Sequence, residues 1–163
     1  VGDRLRAPVK DLAVAADGTA WFATSMGLGM LSPDGQLAHF GIEQGLPDAD
    51  IRALALIPGG PLWVGTARGL MRRAPNGNWS RLTVQSTEGG LQSEEIWDIV
   101  ADGEGTVWFA TAAGISRRTS DAKWAHYDVT GIRTLRPGPG ETVWLGGLNG
   151  LYRLRADALV PVP

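Results

Sequence analysis

Three cations and one aromatic stand at matching places in four copies of a repeated sequence: Lys10, Arg52, Trp97 and Arg133. Brought round one axis, they would suit an acidic sugar or another small anion. Lys and Arg would give charge-assisted hydrogen bonds to a carboxylate, and the indole would offer a ring face. A glycan or small anionic ligand is therefore the expected partner. The competing reading is that they are solvated residues of the loops entering the first strand of each repeat, paired with Asp48, Asp50, Glu94 and Glu95.

Other residue types that could do chemistry are poorly placed for it. His39 and His126 each lie 18 residues after a repeat tryptophan, so they are equivalent positions with another repeat between them. That favours a structural place in the fourth strand over a shared metal. Glu88, Glu94, Glu95 and Asp98 are the densest carboxylates, but without a pocket they make no glycosidase pair. "PDAD" (47–50) falls short of a calcium loop's ligand count. With no Cys, disulfides and thiolate sites are excluded. No catalytic residue, metal or cofactor is expected.

The elements that must hold these residues are written four times. Trp21, Trp63, Trp108 and Trp144 are separated by 42, 45 and 36 residues, a period that points to stacked supersecondary units. Six residues after each tryptophan comes a glycine: Gly27, Gly69, Gly114 and Gly150. Thr24, Thr66 and Thr111 lie between them in three copies, and Gly147 replaces the threonine in the fourth. Short β-prone runs such as "IRALALI" (51–57) and "LWVGT" (62–66) alternate with Gly, Pro and Asp turn signals. Each copy reads as four antiparallel strands. The fold class is all-β, a β-propeller of four-stranded blades over roughly 8–42, 50–85, 95–129 and 131–163, all in one domain or segment spanning 1–163. The tryptophan should plug the space between blades, and the glycine should turn the chain between strands two and three.

Two copies, "GLPDADIRALALIPGGPLWVGTARGL" (45–70) and "GLQSEEIWDIVADGEGTVWFATAAGI" (90–115), resemble the two-component regulator propeller repeat. The resemblance implies a sensor region of a bacterial signalling protein, periplasmic or extracellular, that binds a ligand without catalysis. It implies no functional residue, because the repeat's signature positions are structural. Rings of this kind usually hold more than four blades. The chain is thus expected to be part of a larger ring, or to complete one with other blades or identical chains as a self-associating interaction module. The D-G-x-x-W-like turns also resemble streptogramin lyases. That activity would need a metal-supported His and acid cluster on the channel face.

Charge narrows the partners. The net charge is −2 with 20% charged residues, which gives no general attraction to nucleic acid. No apolar run is long enough for membrane insertion as a helix. The sequence opens without Met or a signal pattern, as expected of a processed chain or an excised segment. Arg72, Arg73, Arg117, Arg118, Arg153 and Arg155 follow the repeat glycines; alternation sends about half of them outward, and their expected role is outer-strand solubility.

Overall fold

The computed structural model describes residues 7–163. Four antiparallel sheets follow one another along the chain, each with its strands in sequence order. Sheet 1 comprises β1 (Val9–Val14), β2 (Ala20–Thr24), β3 (Gly27–Leu31) and β4 (Leu37–Phe40). Sheet 2 comprises β5 (Ile51–Leu56), β6 (Leu62–Thr66), β7 (Gly69–Arg73) and β8 (Trp79–Leu82). Sheet 3 comprises β9 (Ile96–Ala101), β10 (Val107–Thr111), β11 (Gly114–Arg118) and β12 (Trp124–Tyr127). Sheet 4 comprises β13 (Ile132–Pro137), β14 (Thr142–Gly147), β15 (Gly150–Arg155) and β16 (Ala158–Val162). The chain is an all-β propeller segment of four blades.

Three apolar layers hold the blades together, one between each successive pair of sheets. Trp21 and Leu28 of sheet 1 meet Ile51, Leu54 and Val64 of sheet 2. Trp63 and Leu70 of sheet 2 meet Ile96, Ile99 and Phe109 of sheet 3. Trp108 and Ile115 of sheet 3 meet Ile132, Leu135 and Leu145 of sheet 4. Side chains alternate across a strand, so each sheet shows one set of residues to the preceding blade and the other to the following one. Among the described residues, no apolar layer joins sheet 4 back to sheet 1. The blades form an open arc. Trp21, Trp63 and Trp108 are buried, whereas Trp144, which no further blade covers among the described residues, is only half-buried.

The Thr-x-x-Gly spacing is explained by one hairpin. Thr66 Oγ1 donates to the Gly69 carbonyl at 2.9 Å and accepts the Arg68 N–H at 3.0 Å. Thr24 and Thr111 repeat both bonds. Gly114 has φ +146°, and a Cβ there would stand 2.7 Å from the Tyr127 carbonyl oxygen. The glycine therefore serves both a left-handed backbone and a close approach of the fourth strand. The "GL" that opens each family-like stretch supplies a further plug: Leu46 and Leu91 are buried in the first and second layers.

The arginines after the glycines correct an expectation. Arg72, Arg73, Arg117 and Arg118 are half-buried on the faces between blades, because an interior propeller blade packs on both sides. Arg73 Cζ stands 5.1 Å from the Trp21 ring centroid, and Arg118 Cζ 5.5 Å from that of Trp63. Arg72 reaches Trp63 as well, at 5.8 Å. These side chains are half-buried cation–π caps on the core tryptophans. Burial and the charge of Arg72 lower the pKa of Arg118 from the usual guanidinium range. Arg153 and Arg155, on the last sheet, are exposed.

Candidate functional site

The innermost strands β1, β5, β9 and β13 line one cleft of ≈ 540 Å³. Each is interrupted once in its pairing with the neighbouring strand. The register slips between Val9 and Asp11, between Ile51 and Ala53, and between Ile132 and Thr134. In β9 the partners jump from Ile96↔Thr111 to Asp98↔Ala110. The residues left unpaired are Lys10, Arg52, Trp97 and Arg133. All four candidates are thus bulge residues within the strand rather than members of the preceding loop. A bulge re-aims the side chain it carries, and here four bulges aim their residues into the same cleft.

The cluster is more strongly paired than its composition suggests. Lys10 bonds Asp50 of the next blade. Arg52 contacts Asp50 at 3.2 Å and Glu95, again one blade on, at 3.1 Å. Partial burial opposes ionisation of Asp50, but Lys10 and Arg52 outweigh it and hold the carboxyl below its usual range. Trp97 receives a guanidinium from each neighbouring blade, Arg52 at 4.1 Å and Arg133 at 3.5 Å from the ring centroid. Arg133 is exposed and, among the described residues, makes no ion pair. Of the three cations it alone has no acid partner among the described residues. Asp50 and Glu95 are the pairing acids; Asp48 and Glu94 bond Arg68 and Arg81 elsewhere. An anion that engages Arg133 must share or displace the indole it rests on.

Beneath the rim lies a feature that sequence reasoning missed. Asp98 Oδ2 accepts the Leu135 N–H of the next blade at 2.7 Å, and its Oδ1 accepts the Ile99 N–H at 2.9 Å. Arg136 adds a contact at 3.3 Å. Asp11, at the equivalent place two blades earlier, accepts the Leu54 N–H at 2.7 Å. These carboxylates clip one inner strand to the next. The available signal was an Asp one residue after the candidate position in two of four copies. Burial pushes the Asp98 carboxyl up, and the bonds from Leu135, Ile99 and Arg136 do not cancel that effect.

His39 and His126 lie in β4 and β12, the fourth strands of sheets 1 and 3, paired opposite Gly29 and Ser116. His39 Nε2 sits 2.9 Å from the Met26 carbonyl oxygen, closing the same hairpin as Thr24. Neither histidine lines the central cleft.

Residues 90–113 match the family model described as Two component regulator propeller. The chain carries this repeat. Its fold is similar to the extracellular domain of BT3049 from B. thetaiotaomicron, described as a hybrid two component system, with TM-score 0.78 and 25% identity. That match covers 91% of this chain and 22% of the other. The extracellular domain of BT4673 from the same organism, described as a one component system, matches with TM-score 0.75 and 17% identity over 94% of this chain and 22% of that one. Virginiamycin B lyase from Staphylococcus aureus matches with TM-score 0.73 and 17% identity over 95% and 56%. The chain spans about a fifth of the BT3049 and BT4673 chains and little more than half of the lyase. No curated protein matches it in sequence.

Proposed function

We propose that this chain is part of a non-catalytic, ligand-sensing propeller outside the cytoplasm, and that its ligand presents an anionic group, such as the carboxylate of an acidic sugar, to Arg133 at the mouth of the central cleft. One observation carries the reading. Four bulges converge on one rim, and Arg133 is the rim cation that no acid among the described residues neutralises. Likeness to extracellular domains of bacterial two component and one component systems supports both the sensing role and the location. Trp97 would hold the guanidinium in place before the ligand arrives, lowering the ordering cost of binding. Lys10 and Arg52, tied to Asp50 and Glu95, would shape the rim and contribute little charge.

The lyase reading has less support. The likeness at 17% identity concerns the fold, and a His-to-Ala variant of that lyase is described as catalytically inactive. Both histidines of the present chain are on outermost strands.

Calorimetric titration with glucuronate and galacturonate, against glucose and galactose, tests the proposal. The acids should bind, the neutral sugars should not, and affinity should fall with added salt. Arg133→Ala should lower affinity about tenfold or more, the usual effect of losing a charge-assisted bond, while leaving the unfolding midpoint in place. Equal binding of neutral sugars, or acid binding that survives Arg133→Ala, would rule the site out.

A further inference from the structure

The three junctions between blades are not built alike at the ends of the inner strands away from the rim. Three strand positions meet there: the residue paired opposite the blade tryptophan, the last residue of the next inner strand, and the residue of the next third strand that covers the tryptophan. Between sheets 2 and 3 these are Arg72, Ala101 and Arg118. Between sheets 3 and 4 they are Arg117, Pro137 and Leu154. Between sheets 1 and 2 they are Met30, Leu56 and Arg73. The first junction therefore sets one cation beside two apolar side chains. The repeat does not require this, since its hairpin and plug need only the threonine, the glycine and the tryptophan.

That junction is also open. A cleft of ≈ 660 Å³ lies between sheets 1 and 2, against ≈ 200 Å³ between sheets 3 and 4. Small-molecule sites span about 300–1,000 Å³. Trp21, Met30, Leu56 and Ile57 line the cleft, with exposed Pro58 and Pro75. Met30, Leu56 and Ile57 are only half-buried, so a ligand with an apolar body would take their remaining surface out of water.

Arg73 supplies the polar contact. Its Cζ stands 5.1 Å from the Trp21 ring centroid, and its Nε is buried with no hydrogen-bond partner. Among the described residues no acid pairs with it, whereas Arg117 of the third junction has Asp157. A carboxylate would give this guanidinium a charge-assisted bond. Asp17 also lines the cleft, and bonds from Thr19 hold its carboxyl below the usual range. Its negative charge disfavours a dianion.

We propose that this cleft is a second ligand site, separate from the rim, for a small monocarboxylate with an apolar or aromatic body. The carboxylate sits on Arg73, and the body packs against Trp21, Met30 and Leu56.

Titration calorimetry with 3-phenylpropionate, 3-phenylpropanol and acetate tests this, with indole N–H signals followed by NMR to place the ligand. 3-Phenylpropionate should bind and shift the Trp21 signal while leaving that of Trp97, at the rim, in place. The alcohol lacks the charge and acetate lacks the body, so each should bind about tenfold more weakly or worse. Arg73→Met keeps an apolar stem over Trp21 without the charge, and should weaken 3-phenylpropionate about tenfold while leaving the alcohol unchanged. No binding of 3-phenylpropionate up to about 10 mM, equal binding of the alcohol or of acetate, or a shift at Trp97 in place of Trp21 would each overturn the proposal. The ligand series uses the wild-type chain, so it decides the matter even where Arg73→Met fails to fold.

Discussion

Sheets 2 and 3 lie between two neighbours, whereas sheets 1 and 4 have one neighbour each, yet all four carry the same pattern of residues. The difference teaches where the repeat's stability resides. Trp63 is fully buried, capped by Arg72 and Arg118 and edge-on to Phe109 at 5.3 Å. Trp144, in the same sequence context, is half-buried beside an open cleft. A blade does not complete its own core. It offers two half-layers, and each becomes a core only when the next blade covers it.

The sharpest way to break that comparison is to truncate the two tryptophans. Trp63→Ala should cost about 3–5 kcal/mol, the usual range for emptying a large core site. Trp144→Ala should cost no more than about 2 kcal/mol, because less surface is removed from contact. Chemical denaturation of dilute protein compares them, and equal costs would mean that the interior and terminal sheets do not differ as described. Gly114→Ala and Gly150→Ala repeat the contrast at the hairpin. The first meets both a positive φ and a carbonyl oxygen at 2.7 Å and should cost about 3 kcal/mol. The second meets open space and only the backbone strain, about 1–2 kcal/mol.

A smaller effect should appear at the carboxylate that clips sheets 3 and 4. The folded state raises the pKa of Asp98, so the native chain binds that proton more tightly than the unfolded one. The resulting stabilisation is present below the ordinary value of 3.8 and is lost as pH rises through the raised value. Asp98→Asn keeps an acceptor for the Leu135 N–H without the buried charge. Its stability relative to wild type should therefore rise between about pH 3 and pH 7. A flat difference across that range would show that Asp98 ionises in the fold as it does in the unfolded chain.

The recurrence of Trp and Gly at fixed distance made the four-sheet architecture legible in the sequence, because both residues answer to geometry internal to one blade and its next neighbour. The rim was legible as a set of equivalent positions, but not as a set of bulges. A one-residue slip leaves no mark of its own in the residue types of the strand that carries it. Pairing of the rim cations with acids was legible as the competing reading, but which acids pair was hidden, since Asp50 and Glu95 reach Lys10 and Arg52 across blade boundaries some 40 residues away. The arginines after the glycines were misread for a related reason. Their charge suggests solvent, and only the stacked sheets show that Trp21 and Trp63 lie over them.

Hydrogen exchange of dilute protein tests the central claim most directly, that each sheet is completed by the next. The account predicts slowest exchange in β6 and β10, which lie in sheets covered on both sides, and markedly faster exchange in β1, β15 and β16. Uniform protection across the four sheets, or slower exchange in sheets 1 and 4 than in sheets 2 and 3, would contradict it.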